Sequence, residues 1–508
     1  MLVAAETVQS QRVSMTRQHI VGALVLLPDA PLGRLSDIVI ENGRISDIVP
    51  PQTPVADARR IDAADRLIIP GLVNAHTHGQ GNLSKGMNEH WNLELLLNAF
   101  PWLGGRRNPE IHYVSALLGA AEFVRKGCTA AYDLFSEFPA PTFEGVEAVA
   151  RAYNDIGMRA VVAPMMADRS FYQSIPGLLE AMPPPVREEA NSIRFASHQE
   201  SIARCRTILQ NWSFDRASVR PALAPTIPHH CTDEFLIACR DLANDFDTGI
   251  QMHVAESRMQ SVVAPLVHHA TAVSHLAKLG LLSPKFTVAH GVWLNDDDIG
   301  RLADHGCSVS HNPTSNLRLG SGVARVRRML SAGVNVAIGT DAAMTSDTLN
   351  PFEAIRLAAL VSRLLDRDTE LWLSAREALH AGTVGGARAL GFGTDIGVIA
   401  RGAMADLVFL DLSAGPLVPL ANATNQLVYA EDGSAIKAVM VAGKMLYENG
   451  RFLTIDYPAL VKRARTMAAE LVGATAGLKA MIERFQPIVG QYCSGLVAGA
   501  PPFQPHVH

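Results

Sequence analysis

The sequence predicts an α/β protein: a TIM-type (β/α)8 barrel inserted in a small β-sandwich domain that both ends of the chain build together. Three observations carry this. Eight short, β-branched apolar runs alternate with segments of helical period through the middle of the chain. Hairpin-like β patterns occur near both ends, and neither set has enough strands to bury a core alone. Side chains suited to binding a metal or moving protons stand at the C-terminal ends of runs one, five, six and eight, the end where such barrels gather their chemistry. A chain of 508 residues is long for one compact domain, but a barrel with additions accounts for it.

Residues 1–18 read as a loose tail: they are polar and mixed, without the basic start and apolar core of a signal peptide. From residue 19 to 64 the pattern is β, with apolar runs at 20–27, 38–40 and 45–49, and Glu41-Asn42-Gly43 is a tight hairpin turn signal. The same character returns over 400–455, where Glu448-Asn449-Gly450 is the matching turn. Between them, residues 65–399 hold the barrel runs at 67–69 (leading into His76), 129–132, 160–163, 219–224, 249–252, 286–289, 308–310 and 334–338. Helix-period stretches such as 144–153 and 297–304 separate them. Residues 456–508 form an Ala-rich helical extension and a Gly/Pro-containing tail, expected to pack on the barrel or on a neighbouring subunit.

Bulk properties narrow the function. A net charge of −5 leaves no basic field for nucleic acid, so a small-molecule partner is expected. No run of about 18 apolar residues occurs, which argues against a membrane-spanning helix. Six cysteines without a CxxC pair read as reduced thiols of a cytoplasmic protein.

The barrel opens with Pro70-Gly71-Leu72-Val73-Asn74-Ala75-His76-Thr77-His78-Gly79. Two histidines one residue apart on a strand face the same side, which makes half a metal site. His506-Val507-His508 repeats the spacing in a Pro-rich tail with no strand to hold it, so company matters more than spacing. That company is His253-Val254-Ala255-Glu256, Val288-Ala289-His290-Gly291 and Gly339-Thr340-Asp341.

Several of these residues have structural alternatives. Glu256 also fits a helix-start carboxylate, and His290 a hydrogen-bonded structural histidine. Asp296-Asp297-Asp298 precedes a helical pattern and reads as capping. The pairs His229/His230 and His268/His269 read as surface or structural residues.

The stretch 70–78, together with 253–256, Ser310-His311-Asn312-Pro313-Thr314-Ser315-Asn316 and 339–341, resembles the signature of the amidohydrolase superfamily. The similar branch holds cytosine, guanine, pterin, aminopurine and S-adenosylhomocysteine deaminases together with triazine chlorohydrolases. The resemblance spans roughly residues 19–455, split β domain included. It implies a metal-dependent hydrolase, and in this branch a homo-oligomer.

The chemistry can be reasoned beside that resemblance. His76, His78 and His253 offer imidazole nitrogens and Asp341 a carboxylate, a set suited to Zn2+ or Fe2+ with a position open for water. Water on such a cation ionises near neutral pH and becomes the nucleophile. Asp341 accepts its proton, His290 orients it, and Glu256 protonates a ring nitrogen and helps ammonia leave. Family members with two metals bridge them through a strand-four lysine. Here the only lysines between His78 and His253 are Lys85, which follows run one, and Lys126, which precedes run two, so one metal per chain is expected.

The loop after run one supplies Gln80, to read a heterocycle edge, and Trp91, to stack on it or anchor packing. Arg169 follows run three and His311 and Asn316 follow run seven, all candidate substrate contacts. Nucleoside deaminases of the branch usually carry a histidine shortly after the strand-four proline, where this chain has Thr226. That departure favours a free base, pterin or other small ring over adenosine and S-adenosylhomocysteine. The expected reaction is hydrolytic deamination of an aminated N-heterocycle. Alternatives are expulsion of chloride or an alkylamine from an azine ring and, in another class, a non-catalytic interaction protein.

Overall fold

The computed structural model describes residues 17–504 apart from Asn88 and Arg106; the His506/His508 pair and most of the N-terminal tail lie outside the described residues. The two ends of the chain meet in one nine-stranded sheet. Its middle strand, Arg66–Pro70, pairs in parallel with Gln18–Leu27 on one side and antiparallel with Leu407–Asp411 on the other. Ala30–Glu41 and Arg44–Val49 extend one edge, and Ile436–Val441 and Lys444–Glu448 the other. Both expected turns form where Asn-Gly makes positive φ inexpensive: Asn42 and Gly43 stand at +52° and +75°, Asn449 and Gly450 at +47° and +85°. Ile20, Ile38, Ile68, Leu407 and Met440 bury one face.

The run at 67–69 therefore belongs to this end sheet and not to the barrel. The chain changes sheets at Gly71, whose N–H donates to the Asp406 carbonyl while Leu72 N–H pairs with Gly127. A β-carbon at Gly71 would collide with the Thr129 side chain, so the crossing needs glycine.

Eight parallel stretches follow. The first four are Leu72–Thr77, Cys128–Ser136, Arg159–Met166 and the broken strand Val219–Pro221 with Ala224–Pro225. The last four are Ile250–Val254, Phe286–His290, Ser308–His311 and Asn335–Ile338. A parallel bridge between Leu223 and Ile250 links the two sets. At the other seam Asp341 N–H donates to the His76 carbonyl at 2.9 Å, and Asn74 exchanges two 2.9 Å bonds with Thr340. These strands are buried almost throughout, as sheets covered by helices must be.

The connecting helices begin on well-formed caps. Thr142 caps Phe143–Ile156, and Asn295 caps Asp296–Asp304 in a capping box closed by Asp298. Asp296 pairs with Arg325 and Arg328, so the three aspartates serve the helix start. The extension forms Tyr457–Ala474 and Ala476–Ala498. The second of these packs on helix Leu93–Gly104, burying Ile482, Phe485 and Val489 against Leu96, Ala99 and Tyr172. Among the described residues no helix is long and apolar enough to cross a membrane. All six cysteines are buried and unpaired with one another.

Candidate active site

His76 lies in the first parallel strand, and extended backbone at His78 keeps both imidazoles on one side. His253 comes from the fifth strand, His290 ends the sixth, and Asp341 follows the eighth. The φ angles of His290 (+77°) and Asp341 (+62°) fall in the left-handed region. Residues with a β-carbon adopt it at a cost, and such strain collects where a side chain must be aimed.

The aimed atoms converge. Asp341 Oδ1 is 3.2 Å from His78 Nε2 and 3.5 Å from His76 Nε2. The Nε2 atoms of His78 and His253 are 3.2 Å apart. His290 Nε2 stands 4.0 Å from Asp341 Oδ2 and 3.5 Å from Glu256 Oε2. All six residues are buried.

The far side of each ring explains what the near side can do. Nδ1 of His76 faces Gln251 Oε1 at 2.6 Å, that of His78 the Leu134 carbonyl at 2.7 Å, and that of His253 the Thr226 carbonyl at 2.9 Å. Carbonyl oxygens only accept, so each Nδ1 carries the proton and each Nε2 turns a lone pair inward. The His78–His253 contact is then lone pair against lone pair, and His76 Nε2 is buried without a hydrogen-bond partner. A cation held by His76, His78, His253 and Asp341 satisfies all of these atoms at once, so the donor set fits a divalent metal. Lys85 is occupied by Glu122 and Lys126 by the Asp432 carbonyl, so neither bridging candidate reaches the cluster.

Electrostatics sort the acids and bases. Burial lowers His253 well below the usual histidine range, with His76 and His78 adding to it, and burial lowers His290 to about 3. Burial also lowers His76, against the pull of Asp341. At His78 burial is outweighed by Asp341, which raises it. Burial favours a neutral Asp341, yet the His76 and His78 imidazoles beside it hold it well below the carboxylate range. Glu256 moves the other way: burial, then the charges of Asp341 and Glu94, raise it well above its ordinary value. A low acid and a high acid side by side are the signature of divided proton-transfer roles.

Glu256 does not act as a helix-start carboxylate. Ser257 caps helix Arg258–His268, while the Glu256 side chain turns to His290. Gln80 lines the cavity with both amide atoms unpartnered, its backbone held by the Arg107 guanidinium.

Other candidates are placed differently. Trp91 does not line the cavity; it packs edge-on against Trp102, 6.2 Å between centroids, as a packing anchor. Asn316 stands behind His290, its Oδ1 accepting from Nδ1 at 3.0 Å, where it orients that ring and does not line the cavity. Arg169 is half-buried outside the lining. His311 is buried with both ring nitrogens unpartnered, also outside the lining.

Two residues escaped sequence reasoning. Gln251 was visible as a polar residue two before His253 in an apolar strand, hence on the same face. His230, read as surface or structural, is buried and lines the cavity, because the chain folds back after Pro228 in a short 3-10 turn. No spacing rule marks it.

With this geometry in view, comparison with known proteins is decisive. The profile of the amidohydrolase family matches residues 67–446. The chain belongs to the amidohydrolase family. Its mixed α/β fold is that of its amidohydrolase neighbours, which are of the TIM-barrel type. It is 33% identical over 441 residues, 87% of this chain and 96% of the relative, to a 5'-deoxyadenosine deaminase of Methanothermobacter thermautotrophicus. It is 34% identical over 412 residues (81% and 86%) to a 5-methylthioadenosine/S-adenosylhomocysteine deaminase of Nitratidesulfovibrio vulgaris. An adenosine deaminase from Xanthomonas campestris with bound zinc superposes with TM-score 0.79 at 29% identity, over 90% of this chain and 98% of the other. The fold is shared too with a mutant of the atrazine chlorohydrolase from Arthrobacter aurescens complexed with zinc and atraton, TM-score 0.79, 24% identity, covering 89% and 99%. This amidohydrolase is a hydrolytic deaminase with a divalent-metal site.

Proposed function

We propose that this amidohydrolase deaminates an adenine-type ring carried on a nucleoside-like molecule, replacing the exocyclic amine by oxygen and releasing ammonia. The observation that carries the reading is the arrangement of inward lone pairs beside Glu256, whose carboxyl burial pushes well above its ordinary value. The relatives' substrates widen the expectation from a free base to a nucleoside.

His76, His78, His253 and Asp341 would hold one divalent ion, Zn2+ by kinship with the zinc-bound relative and by donor chemistry, with Fe2+ suited to the same set. When bound there, the cation makes water acidic enough to serve as a nucleophile at neutral pH. Asp341 Oδ2, on the His290 side, accepts the proton the water gives up. His290, neutral and held by Asn316, keeps its Nε2 lone pair toward that water and directs its attack. Glu256 donates its proton to the ring nitrogen next to the carbon attacked, so no charge builds on the ring. The proton collected by Asp341 then goes to the amine, the C–N bond breaks and ammonia leaves, while the proton on the newly added oxygen passes to Glu256, which leaves a carbonyl and restores the acid. Gln80 and His230 are placed to read the ring's edge. The Asp341–His76 seam bond supports reading the eight strands as a closed barrel.

The test is ammonia release by metal-replete enzyme from adenine nucleosides, free bases, pterins and amino-triazines, with chloride and alkylamine release followed in parallel. Glu256→Gln is expected to keep its metal and lose roughly 10²–10⁴ of kcat. Full turnover by a folded, metal-loaded Glu256→Gln would remove Glu256 as the acid. Chloride or alkylamine in place of ammonia would replace deamination by the azine reading.

A further inference from the structure

The relatives' names span two very different tails on the same nucleoside: a methylthio group, and the zwitterionic homocysteine of S-adenosylhomocysteine. The cavity of this chain discriminates between them. It opens to solvent, so a group carried on the ring can extend outward through its mouth. Polarity falls steeply from floor to mouth. The floor carries His78, His253, Glu256, His290 and Asp341, all buried, with Gln80 and His230 beside them.

Outward, the walls are mostly apolar, with the hydroxyls of Ser136, Ser170, Tyr172, Thr226 and Thr345 among them. Leu97 and Phe100 project from helix Leu93–Gly104, and Ile193 and Phe195 from the segment between helices Pro184–Ser192 and His198–Gln210. Phe138 faces Phe195 edge-on, 5.3 Å between centroids, and is 37% exposed, so this pair stands at the rim. Among the described residues no Lys or Arg lines the cavity, and the only carboxylates in it are Glu256 and Asp341, both committed to the reaction. Glu94, nearby, accepts the Ser257 hydroxyl at 2.7 Å and is not part of the lining. A carboxylate and an ammonium brought against this lining would lose water and meet no charge in it beyond the reacting pair, whereas an alkyl or aryl group would exchange water for aromatic carbon.

We propose that the natural substrate carries an uncharged apolar substituent larger than methyl, held at the mouth by Phe100, Phe138 and Phe195, and that the enzyme rejects the amino-acid tail of S-adenosylhomocysteine. The proposal rests on the deaminase reading and narrows it.

The experiment compares kcat/KM for ammonia release from 5'-methylthio-, 5'-n-butylthio- and 5'-phenylthio-5'-deoxyadenosine and from S-adenosylhomocysteine, with calorimetric binding of the corresponding deaminated products. The expected result is a gain of at least about tenfold from methylthio to butylthio or phenylthio, and a value for S-adenosylhomocysteine at least about a hundredfold below butylthio. Phe195→Arg should narrow that last ratio by supplying a partner for the carboxylate. Equal rates for S-adenosylhomocysteine and the butylthio substrate, or no gain with chain length, overturn the inference while leaving deamination standing. No ammonia from any member, with product binding still strengthening as the tail lengthens, overturns the deaminase reading and leaves the apolar mouth standing.

Discussion

Replacing Gln251 by Leu tests whether the metal site depends on residues that never touch the metal. Gln251 is fully buried; its Oε1 accepts from His76 Nδ1 at 2.6 Å and its Nε2 donates to the Ala75 carbonyl at 3.0 Å. Leucine fills similar space but leaves a ring N–H and a carbonyl buried without partners, at about 1–3 kcal/mol each. His76 can relieve its share by moving the proton to Nε2, where it blocks the inward lone pair. Metal affinity should therefore fall about 10–100-fold, roughly 1.4–2.7 kcal/mol. The assay is Zn2+ affinity by competition with a chromophoric chelator, with circular dichroism confirming the fold. Gln251→Glu, which keeps an acceptor for Nδ1, should recover most of the loss. A folded Gln251→Leu whose affinity lies within twofold of the parent would refute the tautomer argument.

Asp133 is a buried carboxyl that takes Gly79 N–H at 2.7 Å and the Tyr153 hydroxyl at 2.9 Å, and burial raises it to about 6. Its folded value lies above the unfolded one, so the unfolded chain loses the proton first. Stability of the metal-free protein should fall by about 2–3 kcal/mol as pH rises from 4 to 6 and stay lower above. Asp133→Asn should flatten that slope in urea titrations, and an unchanged slope would count against the assignment. Phe485 is fully buried in the C-terminal helix against Tyr172, a cavity-lining residue, with 5.7 Å between centroids. Phe485→Ala should cost about 3–5 kcal/mol and raise KM more than it lowers kcat, because the wall moves and the floor does not; steady-state kinetics on the folded fraction decide it.

The sequence by itself determined whatever rests on short-range pattern. Strand alternation put His76 and His78 on one face, Asn-Gly turns marked both hairpins, and the apolar runs set the order of strands and helices, since each depends only on backbone period and local sterics. It also brought out Glu256, His290 and Asp341, because a barrel sends the ends of its parallel strands to one face whatever the loops do. Only the tertiary structure decided the rest. The run at 67–69 is as apolar as a barrel strand, and its place in the end sheet follows from partners more than 300 residues away, Leu407–Asp411. Asn316 holds His290 from outside the cavity lining, Trp91 packs on Trp102, and His230 enters the cavity, because side-chain direction in loops and short helices follows from what packs behind them and not from spacing. The apolar mouth is assembled from helix Leu93–Gly104 and two segments far along the chain, none of which carries a motif. A specificity surface is a property of juxtaposition, and juxtaposition exists only once the chain has folded.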